Sequence, residues 1–132
     1  MLPSNLFDLT GKTALVTGGA TGIGKMAATG LAAAGASVFI ASRKGEDCRK
    51  TAADINALNF SGSVEGFAAD IATQTGIEAL INEVQKRTAR LNILLNNAGR
   101  SWGAPLGVFP HDAWGKVLDL NVTGMFHLTQ GL

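Results

Sequence analysis

One cysteine, Cys48, stands in the whole chain of 132 residues, which excludes an internal disulfide and leaves no cysteine-based metal site. An excess of charge is missing too. The 11 Lys and Arg are balanced by 10 Asp and Glu for a net charge of +1, and the basic residues are scattered. A nucleic-acid binder needs a clustered basic footprint, so no nucleic-acid partner is expected. Long apolar runs are also lacking: residues 26–42 carry no charge, but Gly30 and Gly35 interrupt them. That stretch falls short of the ~20 apolar residues of a spanning helix, so no membrane segment is expected. The opening Met1-Leu2-Pro3-Ser4-Asn5 has no basic residue followed by an apolar run, so it does not read as a secretory signal. The expected compartment is the cytoplasm. The length fits one domain at most.

What the chain has instead is glycine, 17 residues of it, placed mainly at the ends of apolar segments rather than in linkers. Short apolar or β-branched runs alternate with longer stretches whose apolar residues recur every three or four positions, the pattern of βα units around a parallel sheet. Four strands are expected, at 13–17, 37–41, 64–69 and 91–96. The first helix is expected over 22–34 with Ile23, Ala27 and Leu31 on one face, and the second over 45–58 with Cys48, Ala52 and Ile55 inward. Cys48 is then a core residue. Ile77, Leu80, Ile81 and Val84 mark a third helix, with Thr75 and Glu78 spaced as a capping box. A loop with Pro105 and Pro110 leads to a last helix from about His111. The fold expected is a Rossmann-type doubly wound α/β sheet, cut after its fourth strand and part of the next helix.

In such a fold every βα turn lies at one end of the sheet, where ligands bind. The first turn reads Thr17-Gly18-Gly19-Ala20-Thr21-Gly22-Ile23-Gly24. Glycine lets the backbone turn sharply and approach a pyrophosphate, while the free N–H groups and dipole of the following helix favour its charge. After the fourth strand stands Asn96-Asn97-Ala98-Gly99. Together the two motifs resemble the paired pattern of the short-chain dehydrogenase/reductase family, over essentially all of the chain. The resemblance implies that Gly18, Thr21, Gly22, Ile23 and Gly24 cradle the pyrophosphate and adjacent ribose. Asn97, Ala98 and Gly99 would line the cofactor and steady the central strand.

The second turn decides between cofactors. An NAD site usually sets a carboxylate against the adenosine ribose, whereas this chain has Ala41-Ser42-Arg43. Ser42 can donate to a 2′-phosphate and the Arg43 guanidinium can pair with it, so NADP(H) is the expected cofactor. The alternative for Arg43 is a solvated loop charge; Glu46 and Asp47 follow it inside the expected helix. Asp70-Ile71 after the third strand resembles the family's adenine-contacting pair, and Asp70 can equally cap a helix.

Asn121 lies four residues after Val117 and seven after Trp114, on the expected inner stripe of the last helix, where a buried amide needs partners. In the family the matching asparagine belongs to the catalytic group and helps hold a water that relays a proton to a lysine; the alternative is a helical Asn that bonds locally. The family's hydride transfer also uses a tyrosine, a lysine four residues later and a serine. This chain contains no tyrosine. Residues 1–132 therefore read as the NAD(P)-binding portion without its catalytic half, inactive alone. The resemblance implies that the complete protein acts on a small carbonyl or secondary alcohol, a 3-oxoacyl thioester or a small ketone, as a homo-oligomer. The other reading is a short product that binds a dinucleotide or a partner without catalysis. Ile93-Leu94-Leu95, apolar on both faces, reads as a central strand that is left at an edge.

Overall fold

A computed structural model describes residues 5–132, so the reading of Met1–Ser4 lies outside the described residues. Four parallel strands form one sheet: β1 (Thr13–Thr17), β2 (Ser37–Ser42), β3 (Ser63–Ala68) and β4 (Ile93–Leu95), in the order β3-β2-β1-β4. This is the doubly wound order that the alternating pattern implies. Helices α1 (Gly22–Ala33) and α2 (Gly45–Asn56) join the first three strands, and α3 (Gln74–Arg87) crosses to β4. The chain then enters α4 (His111–Leu118), widens into a π-type turn over Asp119–Gly124 and continues as α5 (Met125–Gly131).

Two apolar layers flank the sheet. On one side Val16, Val38 and Ile40 meet Ala28 and Ala32 of α1 and Cys48, Ala52 and Ile55 of α2; on the other Leu15, Phe39 and Phe67 meet Ile77, Leu80 and Val84 of α3 and Leu128 of α5. Cys48 is buried, as its stripe requires. The strand β4 shows why its sequence is apolar on both faces: Ile93 and Leu95 pack on the first layer and Leu94 on the second. It spans three residues rather than the six expected, and among the described residues it pairs with β1 alone.

The face of α1 differs from its expected stripe. Its buried residues are Gly24, Ala28 and Ala32, while Ile23 is 74% exposed. Close approach to the sheet selects the smallest side chains, so the centre of the contact face is one residue round from the expected stripe, of which Leu31 still packs on the first layer. The cap of α3 differs too: Thr73, not Thr75, is the N-cap and accepts from the Gly76 N–H at 3.1 Å. Glu78 accepts from its helix neighbour Gln74 instead of closing a capping box. Trp114 is 63% exposed, so the inner stripe of the last helix runs through Ala113, Gly124 and Leu128.

The C-terminal end of α3 is tied to β3 by charge. Arg87 donates to Glu65 at 2.7 Å and, one helical turn back, to Glu83, and its guanidinium lies 4.7 Å from the Phe67 ring. Hydrogen bonds from Lys86 and then Arg87 hold the Glu83 carboxyl below its ordinary value. A carboxyl with a depressed pKa in the folded state supports folding above its unfolded pKa and loses that support as pH falls through the folded one. Acidification below pH 4 is therefore expected to lower the melting temperature, and Glu83→Gln to make that fall smaller. An equal acid-side fall in both proteins would show that this pair carries none of it.

Candidate nucleotide-binding cleft

The C-terminal ends of β1, β2 and β3 and the loop after β4 surround one cleft of about 300 Å³. Its lining includes Gly18, Thr21, Ser42, Arg43, Asp70, Ile71, Ala98 and Gly99, residues that the sequence singles out from four separate turns. Gly22, Ile23, Gly24, Asn97 and Asn121 are not in this lining.

The glycine turn is built from the inside. Gly18 takes φ of +66°, a backbone conformation open to glycine, and its N–H donates to the Ala41 carbonyl at 2.7 Å. That N–H is spent on β2, so Gly18 contributes shape rather than a donor. A Cβ on Gly18 would stand 3.0 Å from the Asn97 amide nitrogen and 3.1 Å from Ala98 Cα, so the turn and the loop after β4 touch backbone to backbone. Gly24 is tighter still, since a Cβ there would overlap the Gly18 carbonyl. Gly22, Ile23 and Gly24 are the first three residues of α1, where N–H groups have no carbonyl to reach within the helix. The Thr21 cap makes no side-chain cap bond, and no acidic residue occupies the first turn. An anion at this helix start meets donors and no opposing charge.

Thr17 holds β1 to the loop after β4, and the motif reading missed it. Its buried hydroxyl accepts from the Asn97 N–H at 3.1 Å and the Ala98 N–H at 3.0 Å and lies 3.4 Å from the Leu95 carbonyl. Asn97 in turn donates its amide to the Thr17 and Gly18 carbonyls at 3.0 and 3.3 Å. A threonine at the end of a strand, read only as motif spelling, gives no composition signal for this role.

At the other end, Ser42 and the exposed Arg43 are joined in the lining by Lys44 and by Asp47 from the first turn of α2. Asp47 thus reaches the cleft from its place in the helix, with its carboxylate 3.9 Å from the Lys44 ammonium. Asp70 holds a local turn by accepting from the Ala72 N–H at 3.0 Å, and Thr73 rather than Asp70 caps α3. Ile71 is buried in the second layer, and its carbonyl is packed so closely on the π-type turn that any Cβ on Gly124 would overlap it.

Both ends of the Asn121 amide are occupied. Its Oδ1 accepts from the Arg100 N–H and its Nδ2 donates to the Arg100 carbonyl, each at 2.8 Å. The π-type turn carries the residue to this position, a common use of such turns at functional sites. Asn121→Leu, which removes both bonds, is expected to cost about 1–3 kcal/mol. A melting temperature unchanged by it would show that water serves Arg100 equally well.

The pattern of the short chain dehydrogenase family matches residues 12–132. The chain belongs to the short-chain dehydrogenase family. This short-chain dehydrogenase is similar to the rhamnolipids biosynthesis 3-oxoacyl-[acyl-carrier-protein] reductase of Pseudomonas aeruginosa, 46% identical over 96% of this chain and 48% of the relative. It is also 38% identical to the 2-dehydro-3-deoxy-D-gluconate 5-dehydrogenase of Pseudoalteromonas atlantica, over 94% of this chain and 48% of that protein. Among solved structures, the Pseudomonas aeruginosa RhlG/NADP active-site complex is 45% identical, with a TM-score of 0.89 over 100% of this chain and 50% of that one. The L-sorbose reductase of Gluconobacter frateurii, complexed with NADPH and L-sorbose, gives 0.89 at 28% identity over 96% and 48%. The chain spans about half the length of the curated relatives it matches.

Proposed function

We propose that this short-chain dehydrogenase binds NADP(H) in the cleft and that the complete protein interconverts a carbonyl and a secondary alcohol. The observation that carries the reading is the cationic end of the cleft, where the Ser42 hydroxyl, Arg43 and Lys44 stand together after β2. Serine and arginine suit a 2′-phosphate, and Asp47, the carboxylate of the first turn of α2 in this lining, lies beside Lys44. The relatives solved with NADP and NADPH support it.

In this reading the first turn of α1 holds the pyrophosphate, with Gly18 and Gly24 keeping the backbone close. Asp70 and Ile71 border the adenine. Ala98 and Gly99 lie along the cofactor, and Asn97 steadies the loop that carries them. NADP(H), when bound, supplies or accepts the hydride. Asn121 acts here as a positioning residue: with both amide ends on Arg100, it fixes the loop that leaves the cleft. The tyrosine, lysine and serine that the family uses for proton transfer are assigned to the remainder of the complete protein, and residues 1–132 to its NADP(H)-binding part. The substrate class favoured is a 3-oxoacyl thioester, with the 3-oxoacyl reductase relative in support. Among the described residues no helix is long and apolar enough to cross a membrane. The family resemblance is what supports a homo-oligomer for the complete protein, and a cytoplasmic location is part of the same proposal.

The test is nicotinamide absorbance with the full-length protein, a 3-oxoacyl thioester and a small ketone. NADPH is expected to be consumed with the thioester, and NADH far more slowly. Consumption of NADH in preference to NADPH would overturn the cofactor assignment, and no turnover of any carbonyl would overturn the activity.

A further inference from the structure

Two buried polar side chains of α2 point toward the cleft without lining it. Thr51, 6% exposed, donates its hydroxyl to the Ala20 carbonyl at 2.8 Å across 31 residues of sequence. Cys48, fully buried one helical turn earlier, places its Sγ 3.1 Å from the Ser42 hydroxyl. Burying a hydroxyl in a helix face is unfavourable unless a partner compensates it, and here the partner is the backbone of the phosphate-binding turn.

We propose that this face of α2 positions the two phosphate-binding ends of the cleft separately: Thr51 sets the pyrophosphate turn, and Cys48 sets the Ser42 hydroxyl that discriminates NADPH from NADH. The inference rests on the NADP(H) reading given above. Three successive residues of the turn are each held from outside the cleft. The Gly18 carbonyl accepts from Asn97, Gly19 is pressed against Ile40 so that a Cβ would stand 2.6 Å from that side chain, and the Ala20 carbonyl accepts from Thr51. A carbonyl oxygen facing a pyrophosphate repels it, so an anion site built from backbone must keep its carbonyls turned outward. Asn97 does this for Gly18. Thr51 does it for Ala20, a residue of the cleft wall.

Cys48 acts on a single proton. The Ser42 hydroxyl has one hydrogen and two acceptors near it, the Lys44 carbonyl at 3.3 Å and Cys48 Sγ. When the thiol donates to Ser42 Oγ, the hydroxyl hydrogen no longer points at sulfur and only the long bond to the Lys44 carbonyl competes for it with a 2′-phosphate oxygen, while the Oγ that donates it is polarised by the thiol behind it. NADH has no 2′-phosphate to receive that bond. The two contacts therefore carry different signatures.

The experiment measures dissociation constants of NADPH and NADH for the full-length protein, alongside melting temperatures. Thr51→Val, nearly the same shape without the hydroxyl, is expected to weaken NADPH and NADH alike by about 5- to 20-fold, the lower part of the range for leaving one buried carbonyl unpaired. Thr51→Ser keeps the hydroxyl and is expected to restore both. Cys48→Ala is expected to weaken NADPH about 2- to 5-fold, leave NADH unchanged, and add nothing in a Ser42→Ala background. A Thr51→Val protein with a lower melting temperature but both constants within about twofold of the parent would overturn the proposal, as would Thr51→Ser binding no better than Thr51→Val. Equal weakening of both cofactors by Cys48→Ala would overturn the selective role of the thiol. Should Thr51→Val not fold, Thr51→Ala, which opens the Ala20 carbonyl to water, carries the same comparison. Failure of the underlying reading looks different: the unmodified protein would bind NADPH no better than NADH, and Ser42→Ala would change neither.

Discussion

Gly24→Ala is expected to remove nucleotide binding and to lower stability by about 2–3 kcal/mol, the upper range for an overpacked site. The added Cβ overlaps the Gly18 carbonyl and stands 2.6 Å from the Asn97 amide nitrogen. Neither neighbour can give way cheaply. The carbonyl belongs to a turn residue whose N–H is held by Ala41, and the amide is held by the Thr17 and Gly18 carbonyls. Relief comes only by moving the start of α1 off the sheet, which carries its N–H groups away from an anion in the cleft. Gly30→Ala supplies the contrast on the same helix. Nothing lies within 4 Å of a Cβ there, and the exchange is expected to stabilise by about 0.5–1 kcal/mol through helix propensity. Thermal melts with and without NADPH separate the two. Equal melting temperatures for both variants would mean that the turn has room the geometry denies.

Arg43→Ala is expected to weaken NADPH by about ten- to a hundredfold and NADH by less than about twofold. The magnitude follows from a hydrogen bond to a charged group, about 1.5–3 kcal/mol, converted to affinity. The side chain is exposed, and among the described residues no carboxylate pairs with it, so its removal leaves no buried charge behind. Lys44 stays in place and limits the loss. Raising ionic strength is expected to narrow the difference between parent and variant, because the pairing is screened. If both cofactors weakened equally, Arg43 would be acting on the shape of the loop after β2 and not on the phosphate.

Much of the architecture was legible because strands buried on both faces need apolar runs, and helices over them need a stripe. Ile93-Leu94-Leu95 announced a central type of strand, and Cys48, Ala52 and Ile55 the inner face of α2. The misread helix faces share one cause. Reading a stripe by bulk selected Ile23, Ala27 and Leu31 on α1; Leu31 does pack on the first layer, but the helix sits so close to the sheet that Gly24, Ala28 and Ala32 are the residues it buries. Trp114 was drawn inward by the same reasoning and lies outside. At the cleft, the turn residues were legible as a group because the ends of parallel strands gather at one edge of the sheet, which is where Gly18, Thr21, Ser42, Arg43, Asp70, Ile71, Ala98 and Gly99 line one cavity. Thr17, Gly19 and Thr51 were missed because their roles are contacts across the fold, to residues up to about 80 positions away, that no local pattern spells out.

The sheet order β3-β2-β1-β4 has a consequence for synthesis. The neighbour of β1 on one side, β2, emerges at once, but Ala14 pairs with Ile93 on the other, and the Thr17 hydroxyl waits for Ala98. At ribosomal rates of about 5–20 residues per second that interval lasts on the order of 4–16 seconds. Through it the nascent chain can assemble β1, β2 and β3 with α1 and α2, while Gly18 lacks the Asn97 amide that will hold its carbonyl. The glycine turn exists early as sequence, and its contacts with Asn97 form only when β4 docks. Until then β1 has a neighbour on one edge alone, and the turn that follows it lacks the loop it packs against.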